Sequence, residues 1–121
     1  NIMGQLATMT GYRYGEEWLK ALSAVIEKNY IYLRDTLKAK VPNVVTTPLE
    51  GTYLAFLDLR AYLPVDRVHD VILKKCKIAV DYGEQFGENY KGFIRLNLAT
   101  DPDLVCQAAN RIAISLKSES N

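Results

Sequence analysis

The chain has 121 residues, a formal net charge of +1, and a composition in which 49% of the residues are hydrophobic and 24% are charged. This length provides one domain with a sizeable core, and the composition is typical of ordinary globular proteins. The nearly neutral charge gives no electrostatic argument for binding nucleic acid. No apolar run approaches the roughly 18 residues that a membrane-spanning helix needs, and no basic-then-apolar stretch predicts secretion.

Two further features concern the compartment and the origin of the chain. Cys76 and Cys106 are the only cysteines, which favours free thiols in a reducing compartment, and we predict a cytoplasmic location. The chain begins at Asn1 rather than at a methionine, and its first residues are already apolar and helix-like. Either the N-terminus has been processed, or the chain is a piece of a longer protein.

Two helices are predicted in the first third of the chain. Apolar residues at helical spacing predict a short helix over residues 2–13, which Gly15 ends. A longer helix begins at Glu16 and Glu17, whose charges suit a helix N-terminus, and it stops before Pro42. Its apolar stripe is predicted to comprise Trp18, Leu19, Leu22, Val25, Ile26, Tyr30, Leu33 and Leu37.

Strands and helices alternate in the remainder. Strands are predicted at residues 44–46, 52–59, 78–80 and 92–100. Helices are predicted at residues 64–75 and from Pro102, after an Asp101 N-cap, to about Leu116. This order predicts an α+β fold: a two-layer sandwich in which a small, mostly antiparallel sheet carries helices on one face.

The strand at residues 92–100 carries the candidate functional residue, Arg95. Because side chains alternate along a strand, its core-facing residues are predicted to be Ile94, Leu96 and Leu98. Arg95 then lies on the opposite face, where a charge is costly unless it finds a partner. Its planar fork suits a carboxylate or phosphate. Pattern alone leaves two interpretations open, an anion-binding arginine under a cover or an arginine that extends to water.

The face that carries Arg95 is predicted to be an interface. We expect Tyr53, Leu57 and Phe93 to share it and no element of this chain to cover it, which leaves it too apolar to face water. The strand at residues 52–59 is apolar on both faces and is therefore predicted to be central and covered on both sides.

The chain lacks the usual sequence motifs of a self-sufficient catalyst. Gly83 and Gly87 are not followed by the Lys-Ser/Thr pair of a phosphate-binding loop, and no GxGxxG motif occurs. His69 has no cysteine or carboxylate at metal-ligand spacing, so no metal site is predicted. The serines near the C-terminus have no histidine arrangement around them. We predict that the chain performs no chemistry by itself.

Four stretches together resemble a known family. They are residues 12–19 (Tyr-Arg-Tyr-Gly-Glu-Glu-Trp-Leu), 50–58 (Glu-Gly-Thr-Tyr-Leu-Ala-Phe-Leu-Asp), 83–87 (Gly-x-x-Phe-Gly) and 92–100 (Gly-Phe-Ile-Arg-Leu-Asn-Leu-Ala-Thr). Each stretch is weak singly, but their order and spacing are similar to the small C-terminal domain of fold-type I, class I/II aminotransferases that use pyridoxal phosphate. The likeness is greatest to the cystathionine β-lyase-like branch of carbon–sulfur lyases. By this resemblance residues 1–15 are a remnant of the large domain and its connecting helix, and residues 16–121 are the small domain.

The resemblance implies a role for Arg95. In the family the small domain closes over a larger one, and the active site lies between them at a homodimer interface. By match, Arg95 binds the α-carboxylate of an amino-acid substrate and so orients the bond to be cleaved. Asn97, two residues further along the same face, either steadies that arginine or is a plain surface amide.

The resemblance also implies that half of the active site lies elsewhere. The family's Schiff-base lysine, its pyridinium aspartate and most phosphate contacts lie upstream, and Lys74, Lys75, Lys77 and Lys91 match none of those motifs. We therefore expect no catalytic, cofactor-binding or metal residue in this chain. Pyridoxal 5'-phosphate and the substrate are expected in the parent protein, and the fragment alone is expected to be inactive. The expected partners are the large domain and a second copy, without nucleic acid or membrane.

Two questions stay open at this point. Lyase and aminotransferase share this domain, so the sequence favours neither. A different hypothesis is a stand-alone binding or regulatory α+β module that uses Arg95 to hold an amino or keto acid.

Overall fold

Four short strands pair as one antiparallel sheet in the computed structural model, which describes residues 1–119. The strands are β1 (Val45–Thr46), β2 (Leu54–Asp58), β3 (Asp81–Tyr82) and β4 (Phe93–Asn97), in the order β1-β2-β4-β3. β2 and β4 form the centre and pair from Leu54 opposite Asn97 to Asp58 opposite Phe93. The predicted fold class, an α+β sandwich with a small antiparallel sheet, is confirmed.

The helices are α1 (Ile2–Tyr14), α2 (Glu16–Lys40), α3 (Val68–Asp70) and α4 (Pro102–Glu119). A 3-10 turn at Val65–Arg67 precedes α3 and a π-helical stretch at Val71–Lys75 follows it, so the helix predicted at residues 64–75 is present in irregular form. α4 begins as predicted, because the Asp101 carboxylate accepts a hydrogen bond from the backbone N–H of Asp103 at 2.8 Å.

The core lies between the sheet and the pair α2 and α4. The two helices contribute Leu33, Leu37, Val105, Ala109, Ile112, Ala113 and Leu116, and the central strands contribute Ala55, Leu57, Ile94 and Leu96. Ile94 and Leu57 are opposite one another and completely buried. Burial of each such side chain contributes about 1.5–3 kcal/mol. The predicted core face of β4, including Leu98 just beyond it, is confirmed.

The apolar stripe of α2 is buried over its second half only. Trp18 and Leu19 are 68% and 57% exposed, and α1 buries no residue. The periodic pattern predicted the helices correctly, but nothing within residues 1–119 covers this part of them. The exposed large apolar side chains of this N-terminal surface are Ile2, Met3, Leu6, Met9, Tyr12, Tyr14, Trp18 and Leu19.

β3 lies later in the chain than predicted. Residues 78–80 have no regular secondary structure and no ladder partner, and pairing with β4 starts only at Asp81. The side chains of Ile78 and Val80 pack against the core instead. An apolar alternation indicates which side chains are buried, but the register is decided by the strand across the ladder.

Side-chain hydrogen bonds of Asn29 connect α2 to the residues that follow β4, the strand that carries Arg95. Asn29 is 2% exposed, and its Nδ2 donates to the backbone carbonyls of Leu98 at 2.9 Å and Thr100 at 3.0 Å. We expect Asn29→Ala to lower the free energy of unfolding by about 1–3 kcal/mol, because both carbonyls lose their partner. Urea denaturation measures the loss. Lys28→Ala, on the exposed side of the same helix turn, is the control and is expected to change little.

In the part of the chain that the structure describes, every helix is too short or too polar to cross a bilayer.

Candidate functional site

The face of the sheet that points away from α2 and α4 carries Phe56 and Asp58 of β2 and Phe93 and Arg95 of β4. Arg95 is directly opposite Phe56. The expectation that Leu57 lies on this face is wrong, since Leu57 is fully buried on the helix side. Asp58 shares a face with Leu54 and Phe56, and this one charge at the end of the strand was the signal in the sequence that could have placed Ala55 and Leu57 on the helix side.

Part of this face is covered by the chain itself, which corrects the expectation that nothing here covers it. Segment 83–92 makes two 3-10 turns, at Gly83–Phe86 and Glu88–Tyr90, and returns over the outer face. Phe86 and Tyr90 meet the ring of Phe56 edge-on at centroid distances of 6.0 and 5.6 Å, and Phe93 stacks on Phe56 at 5.0 Å. These four rings form an aromatic cluster beside Arg95.

Two glycines allow the segment to follow this path. An added Cβ at Gly83 would lie 1.9 Å from the backbone oxygen of Tyr90. Gly92 has a φ of 91°, in the region that favours glycine, and its Cβ would meet the Arg60 side chain at 2.4 Å. The sequence indicated a glycine-punctuated loop here, but not that the loop closes against the sheet.

Arg95 is paired within the chain, with a residue that sequence reasoning missed. Asp81 of β3 is directly opposite Arg95, and its Oδ2 accepts hydrogen bonds from Arg95 Nε at 3.0 Å and Nη2 at 2.8 Å. The Arg95 Cζ lies 4.3 Å from the ring centroid of Phe86. The only signal in the sequence was an acidic residue directly after a predicted strand.

The Arg95 guanidinium has N–H donors that are not used in the pair with Asp81. It has five N–H groups, and the pair with Asp81 uses one on Nε and one on Nη2. Among residues 1–119 no other group accepts a hydrogen bond from Arg95, and its side chain is 32% exposed. The remaining three N–H groups, on Nη1 and Nη2, can grip a carboxylate by two parallel hydrogen bonds.

Asn97 forms a local turn. It is exposed at the end of β4, and its Oδ1 accepts from the backbone N–H of Ala99 at 2.8 Å. The Asn97 side chain therefore bonds to the backbone two residues further along the chain, as in an Asx turn. A direct contact from Asn97 to Arg95 is not among the bonds that the structure describes, and its steadying role stays a prediction.

A second arginine–carboxylate pair lies on the same face, at the other end of the aromatic cluster. Arg60 Nε donates to Asp58 Oδ1 at 2.9 Å and Nη2 donates to Oδ2 at 2.7 Å. The Arg60 Cζ lies 4.7 Å from the ring centroid of Phe93. The hydrogen bond from Arg60 is the main cause that lowers the pKa of Asp58.

This lowered pKa predicts a pH dependence of stability. The native state binds fewer protons at Asp58 than the unfolded chain, so the stabilisation is present above the unfolded pKa of about 3.9 and disappears as the pH falls through the lower, native pKa. We expect Asp58→Asn to reduce the free energy of unfolding at neutral pH and the difference from wild type to shrink below about pH 4. Denaturant titrations at several pH values measure it. A constant difference would contradict the prediction, and Asp66→Asn, at an exposed residue, is the control.

His69, the cysteines and the acidic side chains form no further candidate site among the described residues. His69 stacks on Tyr82 at 3.5 Å and makes a hydrogen bond with Glu84, which lowers the pKa of that carboxyl. Cys76 and Cys106 are free. Within the described residues no group of three or more histidine, cysteine, aspartate or glutamate side chains is arranged to hold a metal ion.

The lysines of the chain do not fit the Schiff-base role. A lysine becomes nucleophilic at neutral pH when burial or a neighbouring cation lowers its pKa. Every lysine here is exposed, and several form surface ion pairs, such as Lys74 with Asp70 and Lys91 with Glu88. These lysines therefore lack the burial that would activate a Schiff-base lysine, and the expectation that this chain binds no pyridoxal phosphate stays a prediction.

Comparison with known proteins identifies the relatives of this α+β domain. No family model matches the chain. Protein MalY of Escherichia coli (strain K12) is 32% identical over 99 residues, which cover 80% of this chain and 25% of MalY. Cystathionine β-lyase PatB of Bacillus subtilis (strain 168) is 30% identical over 117 residues, which cover 96% of this chain and 30% of PatB.

The fold agrees with these sequence matches. The crystal structure of a C–S lyase from Staphylococcus hominis with bound pyridoxal phosphate superposes with a TM-score of 0.82 at 30% identity, and the match covers 91% of this chain and 30% of that one. Other matching proteins are described as cystathionine β-lyases and aminotransferases. The chain is homologous to the pyridoxal-phosphate-dependent cystathionine β-lyases and aminotransferases. It spans about a quarter to a third of the length of the curated relatives.

Proposed function

We propose that the chain is the small domain of a pyridoxal-phosphate-dependent carbon–sulfur β-lyase or aminotransferase, and that Arg95 binds the α-carboxylate of the amino-acid substrate. Residues 16–121 would form this domain, and residues 1–15 would be a remnant of the large domain and its connecting helix. The observation that carries the proposal is the Arg95 guanidinium, which lies on the outer face of the sheet with one edge free of partners.

The chemistry of this position suits a carboxylate. A substrate carboxylate that meets the free edge gains two charge-assisted hydrogen bonds in one plane. Because both oxygens of the carboxylate are held, the position of the attached Cα is restricted. Holding the substrate in this orientation would contribute to catalysis. The aromatic cluster places apolar surface beside Arg95, and a lower local dielectric constant would strengthen the electrostatic contact.

The remaining parts of such a site would come from outside the chain. The lysines here do not fit the cofactor, so we propose that pyridoxal phosphate is held by a large domain in the parent protein and that this chain alone is inactive. The exposed apolar side chains of the N-terminal surface support such partners, since a patch of this kind usually marks an interface. We propose that the large domain and a second copy in a homodimer cover it.

The sequence upstream of Asn1 tests the proposal directly. We expect it to encode a large domain with a Schiff-base lysine, and a start codon immediately before Asn1 would contradict this. The complete protein with its cofactor is then assayed for release of pyruvate from L-cystathionine and for amino transfer to a 2-oxo acid. Either activity supports the proposal and separates lyase from aminotransferase.

The alternative, a stand-alone module that binds an amino or keto acid, rests on the same free edge of Arg95 in this chain. Calorimetry of the 121-residue chain with L-alanine and with pyruvate distinguishes the two. Binding that is lost in Arg95→Ala favours the stand-alone module, and heats that do not differ between wild type and variant favour the domain of a larger enzyme.

A further inference from the structure

We propose that Asp81 is a positioning residue for Arg95: it orients the guanidinium so that the Nη1–Nη2 edge is presented to the substrate carboxylate. This inference rests on the proposed function of Arg95 and concerns a different residue. Asp81 is not expected to touch the substrate. Its effect would pass through the two hydrogen bonds that its Oδ2 accepts from Nε and Nη2.

The backbone of Asp81 is held in place although β3 has only two residues. On one side the ladder with β4 pairs Asp81 with Arg95 and Tyr82 with Ile94. On the other side Tyr82 is half-buried against the core and stacks on His69 at 3.5 Å. Neighbouring side chains directly opposite in an antiparallel pair lie close enough to interact. The carboxylate therefore has a defined place beside the guanidinium.

Two contacts together define the orientation of the guanidinium plane. Asp81 holds the edge formed by Nε and Nη2, and the Phe86 ring lies against one face at 4.3 Å from Cζ. An arginine side chain loses much rotamer freedom when it binds a ligand. Since these contacts order it beforehand, a smaller entropy loss remains for the binding step.

Asp81 and a substrate carboxylate would occupy different edges of the same guanidinium. The Nη1–Nη2 edge stays available while Asp81 is bound, so the substrate need not displace it. The opposite possibility is that Asp81 acts as a latch that competes with the substrate because two anions repel one another across one cation. The two cases predict opposite changes in KM when Asp81 is removed.

The test uses the complete protein with its cofactor and L-cystathionine, or the amino donor that the assay above identifies. We expect Asp81→Ala to raise KM about tenfold, a change of the size expected when hydrogen bonds to a charged group are lost. We expect Asp81→Asn, which keeps one acceptor oxygen, to raise KM about threefold. Asp58→Ala is the matched control: it removes the other aspartate–arginine pair on this face and should leave KM unchanged.

A double-variant comparison shows whether Asp81 acts through Arg95. In an Arg95→Ala background, Asp81→Ala should have no further effect on KM, because the residue that it orients is gone. An equal effect in both backgrounds would mean a general structural role and would overturn the inference. An unchanged KM in Asp81→Asn, or a lower KM in either Asp81 variant, would also overturn it. If Arg95→Ala itself leaves KM unchanged, the proposed function fails, which is a separate result.

Discussion

Arg95→Ala in the complete protein is expected to lower kcat/KM for the amino-acid substrate by about 100- to 1,000-fold, because a carboxylate held by two charged hydrogen bonds loses both. KM should rise because the contact contributes to binding. The value of kcat should fall as well, since a substrate held at fewer points reaches the reactive orientation less often. Steady-state kinetics of the purified variant measure both constants.

Two variants test whether the loss of kcat/KM depends on the planar pair of donors of the Arg95 guanidinium. Arg95→Lys keeps the charge but not the planar pair of donors, so we expect a loss of about tenfold, smaller than for alanine. Arg60→Ala is the matched control, because Arg60 is also paired with an aspartate and also lies against a ring of the aromatic cluster. Equal losses in Arg60→Ala and Arg95→Ala would assign the effect to the general shape of this face and contradict the carboxylate role.

Gly83→Ala is expected to cause the largest loss of stability among single substitutions in segment 83–92. The added Cβ would lie 1.9 Å from the backbone oxygen of Tyr90 and 2.9 Å from the Cβ of Phe93, so backbone must move. Forcing atoms into a packed region of this kind costs about 1–3 kcal/mol and occasionally more, and we expect about 3 kcal/mol here. The free energy of unfolding from urea denaturation checks the value.

Gly83→Ala is also expected to affect substrate binding, because of its place in segment 83–92. Gly83 begins the turn that ends at Phe86, the ring that lies against the Arg95 guanidinium. Displacing the turn should therefore also reduce substrate binding in the complete protein. Gly51→Ala is the control, since its Cβ would meet no heavy atom within 4 Å, and we expect a change within about 0.5 kcal/mol. Equal stability of the two variants would show that segment 83–92 does not pack as described.

Much of this protein could be predicted from local periodicity. A stripe repeating every 3.6 residues predicted α2 and α4, and Asp101 with Pro102 predicted where α4 begins. Alternation in β4 separated Ile94 and Leu96 from Arg95 correctly, because one set is purely apolar and the other contains a charge. These features depend on residues close together in sequence, so the pattern carries the information.

Other features were decided only by tertiary structure, because they depend on segments far apart in the chain. Asp58 is the only charged residue of β2 and lies at its end, and pairing with β4 shows that Phe56 and Asp58 share the face of Arg95, where Leu57 had been placed. The pairing register of β3 brings Asp81 against Arg95, and the path of segment 83–92 brings Phe86 over it. The sequence alone thus placed an arginine on the outer face of a strand. The fold supplied the carboxylate and the ring that orient it, because cross-strand contacts arise only when the sheet has assembled.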